Sequence, residues 1–241
     1  MVVKFYRSQV ISNQVLNYKF RCLRFKLQDK DFTFQAGQFI IIKIQDKVFR
    51  DYSISTPPRE LPFWETVVDI SPGGPGSRFF NKLKPGDQIK FMGPSGIFTL
   101  REDNVAHLLL VATGSGISSI KSMTEQLLIR KSLPHIYFFW GLRFKKDIFY
   151  RQLLKTWRKA APHFQHEIVL SQPEANWKGK TGHVTGHVAQ LAQTFPSKKT
   201  SAYLCGNRAM ITDVTQALKQ QGLPQDRIYF EEYYKDDSSP H

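Results

Sequence analysis

From residue 107 onward the chain repeats one pattern: a short apolar run, a turn, then a helix-like stretch. The runs fall at 107–112, 135–140, 167–170 and 202–205, and 229–233 closes the series. Helical stretches read at 117–131, with Ile117, Ile120, Leu127 and Leu128 as its apolar positions, and at 147–159, 182–191 and 208–220. Strands buried on both faces read as solid apolar runs, and parallel neighbours need a crossover between them. Such alternation predicts a parallel α/β sheet with helices on both faces, the frame that binds nucleotides at its strand ends.

The first hundred residues carry a different signature. Residues 4–11 are extended, and Leu23, Phe25 and Leu27 alternate with Arg24 and Lys26 at a period of two. Apolar or extended runs follow at 39–44, 50–55, 64–70 and 89–92, separated by turns such as Ala36-Gly37-Gln38 and Pro85-Gly86-Asp87. Many short strands with Gly, Pro and Asp turns predict a small antiparallel β-barrel. The character changes at 101–104. Two domains are therefore expected, 1–101 and 102–241.

Several function classes are disfavoured. No apolar run approaches the ~18 residues of a membrane span, and the N-terminus lacks a signal pattern. Only two cysteines occur, Cys22 and Cys205, which fits a reducing compartment. A cytoplasmic protein without stable membrane insertion is expected, and a four-thiolate cluster cannot be built from this chain. Seven histidines are scattered without nearby ligand partners, His183 and His187 included, so no metal site is expected. The formal net charge of +14 attracts anions, whether nucleic acid, membrane surface or acidic protein. Its densest groups, 143–146 and 178–180, are short, and no nucleic-acid motif accompanies them. An acidic protein partner is expected rather than nucleic acid.

Four short motifs could carry chemistry. Arg50-Asp51-Tyr52-Ser53 sets a cation and an aromatic on one face of a strand and a hydroxyl on the other. A flavin nucleotide asks for such a set: a guanidinium fork for its diphosphate, a flat ring, a hydroxyl near its reactive atom. Gly73-Gly74-Pro75-Gly76-Ser77 could bring backbone N–H groups and a helix start to a phosphate. Thr113-Gly114-Ser115-Gly116 and Cys205-Gly206-Asn207 each end an apolar strand and face the crevice of a parallel sheet. Taken singly, each also fits an ordinary strand, a glycine turn or a buried, inert thiol.

Together and in this order, the motifs resemble the ferredoxin–NADP reductase family of FAD-dependent oxidoreductases, over nearly the whole chain. The terminal Phe230-Glu231-Glu232-Tyr233 stands where that family has its last motif. The resemblance implies FAD on the barrel and NADP(H) or NAD(H) on the second domain. It implies Arg50 on the diphosphate, Tyr52 on the flavin ring, Ser53 beside flavin N5, and Gly74, Gly76 and Ser77 on the phosphates. Thr113, Gly114 and Gly206 would meet the pyridine nucleotide, Cys205 its nicotinamide, and Glu231 and Tyr233 the catalytic face.

The implied activity is hydride exchange between NAD(P)H and FAD and single-electron exchange with a ferredoxin or flavodoxin, by a monomer. A flavin reductase, an oxygenase reductase component and a non-catalytic relay subunit are the rivals. Two departures stand out. Ser119 occupies a position where relatives usually carry proline, predicting a looser loop. Gln172 replaces an arginine that often binds the NADP 2′-phosphate, leaving Arg143, Lys178 or Lys180 for that task and NADH open.

Overall fold

The computed structural model describes residues 4–233, the last by its backbone alone. Six strands form the first sheet: β1 (Tyr6–Val15), β2 (Phe20–Leu27), β3 (Phe39–Gln45), β4 (Val48–Ser53), β5 (Phe63–Asp69) and, after helix α1 (Pro75–Lys82), β6 (Gln88–Ser95). Every pairing is antiparallel, in the order β4-β3-β6-β1-β2-β5. The alternation of β2 sends Leu23 and Phe25 inward, beside Ile40, Ile42, Trp64 and Phe91. Phe25 and Trp64 stack with centroids 4.2 Å apart. The edge strands then meet: Ser55 N donates to Glu65 O at 2.7 Å, and Thr66 Oγ1 to Ser53 O at 2.9 Å. The sheet is thereby rolled into a barrel, with Ser53 at its seam.

The second sheet is parallel throughout. Its elements are β7 (His107–Thr113), α2 (Ile117–Leu127), β8 (His135–Leu142), α3 (Arg151–Ala160), β9 (Phe164–Leu170), β10 (Lys180–Thr181), α4 (Val184–Ala192), β11 (Thr200–Asn207), α5 (Arg208–Gln220) and β12 (Ile228–Tyr233). The order is β10-β9-β8-β7-β11-β12. Leu110, Ile117, Ile120, Trp140 and Tyr203 bury one face, and Leu109, Val111, Val188, Ile211 and Val214 the other. The chain winds outward from β7 to β10 and then returns to β11 on the far side. The reversal between β7 and β11 opens a crevice at their C-terminal ends, where Thr113 and Cys205-Gly206-Asn207 lie.

The two sheets are clasped on two sides. Lys121 of α2, 6% exposed, donates to Ser55 O at 3.2 Å and pairs with Glu65 at 3.6 Å and Glu125 at 3.1 Å. Ser122 Oγ donates to Thr56 O at 2.6 Å. Opposite, Asn17 Nδ2 donates to Asp147 O at 2.8 Å and Tyr18 Oη to Asp147 Oδ1 at 2.6 Å.

Some boundaries differ from expectation. The helix expected over 117–131 stops at Leu127, and the chain turns ahead of Pro134. The helix expected from 147 starts at Arg151, because Asp147 is buried as the barrel's anchor and Tyr150 takes a left-handed φ of 56°. The helix expected over 182–191 starts at Val184, with His183 extended just ahead of it. The two-residue strand β10 was not expected.

Candidate functional site

Four elements converge where the barrel seam meets the crevice. Ser53, 3% exposed at the end of β4, donates its hydroxyl to Glu231 Oε2 at 3.1 Å. Ser119, fully buried in the first turn of α2, donates to the same oxygen at 3.2 Å. Cys205 lies beside Glu231 in the β11–β12 register, and its thiol donates to Ser119 Oγ at 3.6 Å. Burial pushes the Glu231 carboxyl up to about 7, with Asp51 adding to the rise, while the Ser53 and Ser119 hydroxyls pull it down. A carboxyl poised there can hold or release a proton near neutral pH.

Arg50 and Tyr52 take the other side of β4, as the alternation requires. Both flank the N-terminus of α1: a Cβ added at Gly76 would sit 2.4 Å from Tyr52 Oη and 3.9 Å from Arg50 Cγ. Only glycine allows this approach. Tyr52 also meets Phe80 edge-to-face at 4.4 Å. Gly73 and Gly74 face open space, and no side chain caps α1. The N–H groups of Gly76 and Ser77 therefore have no acceptor within the helix. Ser77's hydroxyl is turned to Asp69 O at 3.4 Å, so its offering to the cradle is its backbone N–H. Arg50 beside uncapped N–H groups fits a diphosphate.

The second part of the site is the crevice. A cleft of about 340 Å³ is lined by Thr113, Gly114, Arg143, Ser171 and Asn207, among others. Trp140 Nε1 donates to Gly114 O at 3.1 Å and pins the first turn. Thr113 Oγ1 accepts from Asn207 N and Nδ2, both at 3.2 Å, tying the two turns across Gly206. Arg143 lies at the cleft with its Nε donating to Gln172 Oε1 at 3.0 Å. Lys178 and Lys180 are not among the lining residues.

Ser53, Cys205 and Glu231 thus come together, Arg50, Tyr52, Gly74, Gly76 and Ser77 form a second group, and Thr113, Gly114 and Gly206 a third. Tyr233 pairs its backbone with Asn207, and its side chain, like Tyr234, lies outside the described residues. The looser loop expected from Ser119 is not found, since Ser119 is buried within α2. Sequence reasoning missed Ser119 as a member of the site. It also missed Asn207, which caps α5 by accepting from Met210 N at 2.9 Å, although an Asn before a helical pattern signals a cap.

Two family models match successive parts of the chain. Residues 7–100 match the family model of the oxidoreductase FAD-binding domain, and residues 110–216 that of the oxidoreductase NAD-binding domain. The chain is 29% identical to ferredoxin–NADP reductase B of Sorangium cellulosum, over 95% of this chain and 97% of that protein. It is 31% identical to the phenol hydroxylase P5 protein of Acinetobacter pittii, over 96% of this chain and 66% of that longer one. Among solved structures, a ferredoxin NADP+ reductase from Neisseria gonorrhoeae with bound FAD and NADP superposes with a TM-score of 0.83 at 22% identity. That match covers 96% of this chain and 99% of the other.

Proposed function

Since the chain belongs to the ferredoxin–NADP reductase family of FAD-dependent oxidoreductases, we propose that it takes hydride from NADPH and passes single electrons to an acidic ferredoxin or flavodoxin. Bound FAD supplies the exchange between a two-electron donor and a one-electron carrier. The protein contributes alignment, exclusion of water and one poised carboxyl. Arg50 and the N–H groups of Gly76 and Ser77 hold the diphosphate, with Gly74 opening the cradle and Tyr52 lying along the flavin. Ser53 would serve the reactive face of bound FAD, where hydride would be taken up. Thr113, Gly114 and Gly206 hold the nucleotide, and Cys205 approaches the nicotinamide. Glu231 holds or moves a proton at Oε2, and Tyr233 is assigned to the flavin's catalytic face.

One observation carries this reading: Ser53 and Glu231, 178 residues apart, are hydrogen-bonded at 3.1 Å with Cys205 one side chain away. Arg143 at the cleft supports NADP(H) as the preferred nucleotide, as a guanidinium able to grip a 2′-phosphate. The net charge of +14 supports an acidic carrier. Two buried free thiols support a reducing compartment, the cytoplasm, and Ser53, Cys205 and Glu231 meeting within one chain support action as a monomer. The phenol hydroxylase relative supports a second reading, a reductase that serves an oxygenase.

Carrier assays decide between acceptors. FAD-loaded protein with NADPH should reduce an acidic ferredoxin or flavodoxin at least roughly tenfold faster than free FMN. That rate should fall as salt rises from about 50 to about 300 mM. Faster reduction of FMN, with no salt dependence for the carriers, would overturn the proposal in favour of a flavin reductase.

A further inference from the structure

The hydroxyl of Ser119 is the link between the two halves of the site. It accepts from the Cys205 thiol at 3.6 Å and donates to Glu231 Oε2 at 3.2 Å. Ser53 donates to that same oxygen from the opposite side at 3.1 Å. A continuous chain of donors therefore runs from Cys205 on β11, through α2, to a carboxyl on β12 that also touches the barrel. The backbone leaves the hydroxyl little freedom. Ser119 is fully buried, and the turn that opens α2 presses so closely on β11 that a Cβ at Gly116, the residue before the helix, would lie 2.3 Å from Cys205 O. A short side chain fixed at both ends, in a place sealed from water, has one arrangement to adopt.

We infer that Ser119 is a positioning residue: it aims the Glu231 carboxylate and couples it to Cys205, a task that needs a side-chain hydroxyl at this position. The inference rests on the roles given above to Ser53, Cys205 and Glu231. A hydrogen bond donated to a carboxylate favours its ionised form, so Ser119 holds Glu231 below the value that burial alone would set. Among the described residues, the other groups facing Glu231 are Ser53 and Asp51 of β4 and, through Ser119, Cys205. Asp51 is exposed at its place on β4, its carboxyl is shifted upward by desolvation, and it opposes ionisation of Glu231. Ser53 and Ser119 offset that opposition from two sides.

The test reads the carboxyl directly in the resting, FAD-loaded full chain. Glutamate labelled with carbon-13 at the carboxyl is titrated by NMR, and the Glu231 signal is assigned by its loss in Glu231→Gln. Ser119→Ala and Ser119→Pro should raise the Glu231 midpoint by about half to one pH unit, roughly a three- to tenfold gain in proton affinity. Ser119→Thr, which keeps the hydroxyl, should return it to the wild-type value. Proline is compatible with the first turn of a helix, so Ser119→Pro serves if Ser119→Ala does not fold. The pH midpoint of flavin reduction by NADPH should move in the same direction, in kcat more than in KM. Midpoints in the hydroxyl-free variants that coincide with wild type would overturn the inference. The hydride-transfer reading fails separately, if NADPH and NADH leave the wild-type flavin oxidised.

Discussion

At the residue scale, the site separates into groups that bind and groups that aim. Ser53 and Cys205 approach Glu231 from different domains, and neither makes the diphosphate cradle. Ser53→Ala and Cys205→Ala should therefore keep FAD bound, with the visible spectrum intact. Both should slow anaerobic flavin bleaching by NADPH by roughly tenfold or more, equivalent to about 1.4 kcal/mol of barrier. Stopped-flow traces that overlay wild type would contradict their placement. Arg143, at the cleft, is proposed for the binding group. Arg143→Ala should raise KM for NADPH by about tenfold and leave KM for NADH nearly unchanged, as expected for one charge-assisted contact to a phosphate. Equal effects on both nucleotides would remove Arg143 from the 2′-phosphate. Ser53 and Cys205 were legible as motif residues. Ser119 was legible only as a departure, because its role comes from a contact across 112 residues that no local pattern records.

Among the elements, the close approach of α2 to β11 is what brings Ser119 to Cys205. Gly116→Ala would set a Cβ against the Cys205 carbonyl, a backbone group that cannot swing away. It should cost about 1–3 kcal/mol in urea unfolding. Gly186, exposed in α4 with nothing within 4 Å of an added Cβ, is the contrast. Gly186→Ala should stabilise by about 0.5–1 kcal/mol. Equal effects would mean that the α2–β11 contact carries no strain. The element pattern itself was largely legible. Helix α5 spans Arg208–Gln220 as expected, since local periodicity and an Asn cap agree. The start of α3 was not legible. Asp147 reads as a helix-opening acid, yet its carboxylate is committed to Tyr18 and to Phe144 N. Tertiary hydrogen bonds there outweigh local propensity.

For the whole molecule, the two sheets act as one frame because both sides of the crevice are clasped. Lys121 is the clearest case. In sequence it is one more lysine on a helix, but in the fold it is buried between Glu65 of the barrel and Glu125 of its own helix. A buried ammonium is tolerated only when so paired, and here the pairing fixes the barrel against α2. That frame brings Ser53 and Cys205 to one site, as the proposed exchange of hydride with bound FAD would require. The direct measurement is the visible spectrum of the purified protein, titrated without oxygen first with NADPH and, in a fresh sample, with NADH. The expected result is a yellow protein with a bound-flavin spectrum that bleaches at about one equivalent of NADPH and needs more NADH for the same effect. A protein that binds FAD but stays oxidised with both nucleotides would contradict it.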